Sequence, residues 1–256
     1  MYAVVCGASK GIGRATAEAL AFRGFSLMLN ARNKENLNKT AEEIRAKYNV
    51  EVKTFAGNIK DEAVCVGLIE EAFDKFGRID ALLVNSGGPV PGELADVTDA
   101  DWQHAFDVTL MPAIRLTRAV LPFMRNKQFG RIVAIESISV KQPVDNLILS
   151  NTIRPAVVGF FKSMAIREAK NNITFNVVCP GSTNTERLDD LFNARAKISG
   201  KSKEEIVQAA KNNIPMGRFA RSGEVGELAA FLMTKDTMFV TGQVILADGA
   251  AYLGTW

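Results

Sequence analysis

Short apolar runs rich in Val, Ile and Leu alternate along this chain with longer stretches of helical periodicity, and that alternation restricts its fold more than any other feature. Parallel strands cannot be joined by a tight hairpin; each needs a long crossover, which a helix usually supplies. The apolar runs fall at 2–6, 25–30, 50–56, 79–85, 131–136, 173–179 and 244–247, which predicts seven strands. Most are apolar on successive residues, as a strand must be when helices cover both faces of its sheet. Residues 12–23, 35–48, 61–76, 100–124, 157–170 and 222–234 read as the helices. The expectation is an α/β chain with a buried parallel sheet, folded as one domain over 1–256, a length that α/β folds commonly reach undivided. One stretch breaks the rhythm. Residues 184–215 are polar and helix-prone, and long enough for a mobile helical lid that selects substrate.

Composition removes several alternatives. With 47% apolar and 23% charged residues, the chain has material for a continuous core and no signature of disorder. Lys and Arg total 31 against 28 Asp and Glu, with the signs interspersed, so neither a nucleic-acid nor a membrane surface is expected. Cys6, Cys65 and Cys179 are too scattered for a disulfide framework or a metal clip, which points to a reducing, cytoplasmic setting. With His104 as the single histidine, no His-based metal site is expected. No apolar stretch reaches the ~18 residues of a membrane span, and the first strand begins too early to leave room for a signal peptide.

After the first run comes Cys6-Gly7-Ala8-Ser9-Lys10-Gly11-Ile12-Gly13-Arg14, and a helical pattern follows at once. Glycine lacks a Cβ, so such a turn can be tight and can let a pyrophosphate reach the backbone. The helix start adds unpaired N–H groups and a partial positive charge. Gly7, Ser9, Lys10, Gly11, Ile12 and Gly13 are therefore the candidate phosphate cradle of a dinucleotide.

The spacing of Gly7, Gly11 and Gly13 resembles the glycine motif of the short-chain dehydrogenase/reductase family. Asn85-Ser86-Gly87-Gly88 resembles that family's Asn-Asn-Ala-Gly element, and Pro180-Gly181 with Thr185 resembles its cofactor-covering turn. Residues 215–218 and the ending from Thr241-Gly242-Gln243 to Asp248-Gly249 also fit. The likeness spans essentially the whole chain. It implies a Rossmann-like, doubly wound sheet of seven parallel strands in the order 3-2-1-4-5-6-7 with helices on both faces. It also implies an NAD(P) site at the carboxyl ends of the strands and assembly as homodimers or homotetramers.

An NAD-preferring enzyme usually carries an acidic residue at the end of the second strand, to bind the ribose 2′-hydroxyl. Here the strand ends Leu29-Asn30-Ala31-Arg32, so that position is Ala31, with Arg32 beside it and Lys10 and Arg14 in the glycine turn. Cations around an uncharged position suit a 2′-phosphate, and NADP(H) is expected over NAD. Asn58 stands where the family commonly has an Asp against the adenine, and Ile59 follows it. With Asn85, Ser86, Gly87, Pro180, Gly181 and Thr185 they complete the expected cofactor site.

The family's chemistry rests on Asn, Ser, Tyr and Lys. Ser and Tyr bind the substrate oxygen, Tyr supplies the proton, and Lys lowers the Tyr pKa while holding the nicotinamide ribose. In this chain Ser137 matches the Ser, Thr109 stands for the Asn, Ser150 for the Tyr and Arg154 for the Lys. Residues 158–165 fix that register. A serine hydroxyl is a far weaker acid than a phenol of pKa about 10, and Arg does not release its proton, so neither can perform the Tyr-Lys step. Arg154 still offers bidentate hydrogen bonds, and Ser137 with Ser150 can hold a carbonyl. The resemblance implies an NADP-dependent oxidoreductase that moves a hydride between nicotinamide and a carbonyl or alcohol. Its substrate would be a small molecule or an acyl group, and the branch resembles 3-oxoacyl-[acyl-carrier-protein] reductases. Two other readings stay open: a catalytically silent dinucleotide-binding homologue, and a non-redox lyase. Pro155 disfavours α geometry at Arg154, so a kink or a helix restart is expected there.

Overall fold

The structure is a computed structural model that describes residues 1–237 and 239–255. Its elements run β1 (Tyr2–Cys6), α1 (Gly11–Phe22), β2 (Ser26–Ala31), α2 (Lys34–Tyr48), β3 (Val52–Ala56), α3 (Glu62–Phe76), β4 (Ala81–Val84), α4 (Asp99–Lys127), β5 (Gly130–Ile135), α5 (Ile148–Glu168), β6 (Ile173–Pro180), β7 (Thr183–Asn184), α6 (Glu186–Ser199), α7 (Lys203–Asn212), β8 (Ala220–Arg221), α8 (Ser222–Leu232) and β9 (Val244–Ala247). Seven strands pair in parallel in the order β3-β2-β1-β4-β5-β6-β9, the Rossmann-like arrangement the resemblance implies.

Alternate residues of a strand face opposite sides of its sheet, and here both sides are apolar. Ala3 and Val5 of β1 join one core while Val4 and Cys6 join the other, and Leu27 and Leu29 of β2 part from Met28 in the same way. Leu20, Leu37, Ile44 and Val225, from α1, α2 and α8, close the first core. Leu68, Leu116, Val120 and Phe161, from α3, α4 and α5, close the second. Each such side chain, fully buried, contributes about 1.5–3 kcal/mol. Among the described residues no helix is long and apolar enough to cross a membrane.

The helix expected over 157–170 begins instead at Ile148, and α5 runs through Pro155 without a restart. Pro155 forfeits one backbone N–H bond, but tertiary contacts hold the turns before it. The Asn151 amide accepts from Val144 N at 3.0 Å and donates to Val144 O at 2.9 Å, and Arg154 is anchored by a buried ion pair. The segment 184–215 contains α6 and α7, and a strand pair absent from the expectation brackets it, Thr183 beside Ala220 and Asn184 beside Arg221.

The register of the central strands positions the site. Val5 lies beside Leu83, Val84 beside Ala134 and Ile135 beside Val178. The turn after β1, Asn85 after β4, Ser137 after β5 and Gly181 after β6 therefore meet along one carboxyl edge, where open α/β sheets bind ligands.

Candidate active site

At Gly7 φ is 63°, and a Cβ there would lie 2.6 Å from Asn85 Nδ2; at Gly13 a Cβ would lie 2.2 Å from the Gly7 carbonyl oxygen. Only glycines let this turn fold under the start of α1. Asn85 closes it from the side, donating from Nδ2 to Cys6 O at 3.3 Å. Lys10, at the N-cap of helix α1, gives no side-chain cap, and the first turn of the helix has no acidic residue. Its free N–H groups and dipole fit a pyrophosphate. Opposite stands Thr185, whose methyl lies 3.4 Å from where a Cβ on Gly11 would sit, and Glu186 beside it is ion-paired with Lys10. The start of α6 thus roofs the glycine turn.

Around this cradle, Ser9 lends its carbonyl to Thr40 Oγ1 at 3.2 Å, and Gly181 N donates to Ala247 O at 3.0 Å. Pro180 is buried, Ser86 half-buried and Gly87 exposed, while Ile12 packs against the first core. Asn58 is exposed, but the Ile59 side chain is buried in the second core and leaves only its backbone to offer. Of the three cations expected near a 2′-phosphate, Arg32 is exposed and without a side-chain partner among the described residues. Arg14 is held by Glu18 and Glu43, each at 2.8 Å, and Lys10 by Glu186. The residues therefore fit NADP(H), which when bound supplies the hydride, with Arg32 as the cation free to meet the 2′-phosphate.

The positions expected to be catalytic fall into a buried chain and two separate groups. Arg154 Nη1 donates to Glu136 Oε2 at 2.8 Å, with the two side chains 10% and 2% exposed. Arg154 Nε donates to Ser150 Oγ at 2.9 Å, the i, i+4 spacing on α5 bringing the two together. Ser150 Oγ lies 3.2 Å from Ser139 Oγ. Ser137 stands apart: its hydroxyl accepts from Ser139 N at 3.1 Å. The hydroxyl that meets Ser150 is thus that of Ser139. Thr109 is fully buried in α4, and its Oγ1 has no hydrogen-bond partner among the described residues. Lys141, Asp145 and His104 are exposed.

Burial pushes the Glu136 carboxyl up to about 7, against the pull of Arg154. Burial likewise drives the Cys6 thiol upward and Cys179 up to about 12, so neither is a reactive thiolate. Arg187 enters from α6, its Nη2 donating to Pro89 O at 2.7 Å. Glu136, Ser139 and Arg187 were not expected from the sequence. The signal for Glu136 was a carboxylate ending an apolar run in a chain where Arg replaces Lys; Ser139 and Arg187 carried none. Together these groups can hold a carbonyl oxygen and place a permanent cation beside it, but they include no phenol.

Comparison with known proteins agrees with this architecture. Residues 7–250 match the family described as Enoyl-(Acyl carrier protein) reductase. The NADPH-dependent reductase BacG of Bacillus subtilis is 32% identical over 250 residues, covering 97% of this chain and 96% of that protein. The 3-oxoacyl-[acyl-carrier-protein] reductase FabG of Aquifex aeolicus is 30% identical, covering 97% and 96%. The crystal structure of a variant of actinorhodin polyketide ketoreductase with NADPH superposes with a TM-score of 0.94 at 30% identity, covering 100% of this chain and 97% of that one. With the glycine cradle, the strand order and relatives matched end to end, the chain belongs to the short-chain dehydrogenase/reductase family and is an oxidoreductase.

Proposed function

We propose that this chain is a cytoplasmic NADPH-dependent reductase of carbonyl compounds, small-molecule or acyl and including 3-oxoacyl groups. The observation that carries it is the uncapped start of α1 beneath Thr185, with Ala31 where an NAD enzyme would place an acid and, next to it, Arg32, which has no side-chain partner among the described residues. Backbone N–H groups of the glycine turn hold the pyrophosphate, Arg32 the 2′-phosphate, and Asn85 and Thr185 bracket the nicotinamide end. Ser137, Ser150 and Arg154 orient and polarise the substrate carbonyl, and residues 184–215 cover it. No phenol delivers the proton. A general acid contributes about 10²–10⁴ in rate, so turnover is slow unless a bound water serves.

NADPH is expected to bind at least tenfold more tightly than NADH, and Arg32→Ala to remove most of that difference, as measured by calorimetry. Equal affinities for the two would sink the assignment. The replacement of Tyr and Lys by Ser150 and Arg154 favours a second reading, a silent dinucleotide-binding protein. Its signature is tight NADPH binding with no oxidation by any carbonyl.

The oligomer is proposed to form through α4 and α5, which pack side by side and expose Phe106 and Ile166. Sedimentation at micromolar concentration should show a dimer or tetramer, and a monomer would contradict it.

A further inference from the structure

Arg187 occupies the first turn of α6, where a helix dipole disfavours a cation and where Glu186 and Asp189 are the acidic residues a dipole favours. Its guanidinium leaves the helix and reaches the loop after β4, at Pro89 O. Arg154 reaches the same point from α5. A Cβ on Gly88 would lie 2.8 Å from Arg154 Nη2 and 3.5 Å from Arg187 Nη2. Two guanidiniums therefore converge on one glycine, with no room for a side chain between them.

Their charges are not balanced. Arg154 is met by Glu136, whereas Arg187 forms no ion pair among the described residues. Arg187 as a residue is exposed, but the partial desolvation of its guanidinium and the charge of Arg154 both push it down, and only the weaker pull of Asp190 opposes them. Like charges held close repel, and the repulsion is relieved when an anion sits between them. With Glu136 ionised the cluster carries one surplus positive charge, which a monoanion neutralises. The planar guanidinium fork also matches the two oxygens of a carboxylate.

We propose that Arg187 and Arg154 form a carboxylate subsite beside the reacting carbonyl, and that the substrate is a small oxo acid. This rests on the reading that Arg154 lies at that carbonyl, so the experiment separates the two. NADPH oxidation is followed with 3-oxobutanoate and phenylpyruvate and with the ethyl ester of each. For at least one pair, kcat/KM for the acid should exceed that for its ester at least tenfold. Arg187→Met should lower that ratio at least tenfold and Arg187→Lys less, while Arg195→Met, the same loss of charge farther along α6, should leave it in place. In parallel, calorimetry measures 3-oxobutanoate and phenylpyruvate binding to the protein loaded with NADP⁺. Binding that depends on Arg187 without any turnover upholds the subsite and overturns the reductase reading. Acids that are neither bound nor preferred overturn the subsite. So does an Arg187→Met variant that keeps the acid preference but binds NADPH tenfold more weakly, since Arg187 would then serve the cofactor.

Discussion

Arg154→Met is expected to lower kcat/KM for carbonyl reduction by about 10²–10³, the range seen when one donor to a developing oxyanion is lost. The same substitution strips Glu136 of its cation in a site where both side chains are almost fully buried, and breaking such a pair costs about 3–5 kcal/mol. The two losses have different causes and separate by experiment. Arg154→Lys keeps a cation against Glu136, so most of the stability should return while the rate stays low, because Lys lacks the second nitrogen that reaches Ser150. Steady-state kinetics beside urea unfolding of both variants checks this. A Met variant that works at the natural rate would remove Arg154 from the mechanism.

The second large effect is a pH dependence of stability. The Glu136 carboxyl titrates near 7 in the fold, above its ordinary value of 4.5. Between those values the unfolded chain holds fewer protons at this group than the native one, so its contribution is fully present below about pH 4.5 and is lost as pH rises through about 7. Glu136→Gln cannot ionise and should flatten that slope. It should match the natural protein near pH 5 and surpass it near pH 8, where the natural protein holds a buried carboxylate ionised at a desolvation cost that Arg154 only partly offsets. Urea midpoints across that range test it, and parallel slopes for the two proteins would show that Glu136 keeps an ordinary pKa.

The sheet was legible because each strand is short, apolar throughout and followed by its crossover helix, which is a local pattern. The glycine turn was legible for the same reason. The start of α5 was not: Pro155 argues against a helix by local rules, and only the clasp between Asn151 and Val144 and the ion pair of Arg154 hold those turns in place. Glu136 is 18 positions from Arg154, and Pro89 is 98 from Arg187. Pairings of that kind follow from how strand ends meet along the carboxyl edge, so motif spacing alone does not disclose them. Ser137 shows the limit in another way: its hydroxyl accepts from the backbone N–H of Ser139, and the hydroxyl that meets Ser150 is that of Ser139.

One turn of helix has two duties. Thr185 and Glu186 lean on the glycine turn, while Arg187, the next residue, faces Arg154. On the proposed reading, a dinucleotide that seats against Thr185 and Glu186 fixes the same turn of α6 that aims Arg187. Kinetics would then be compulsory-order: cofactor first, oxo compound second, alcohol out, and spent cofactor last.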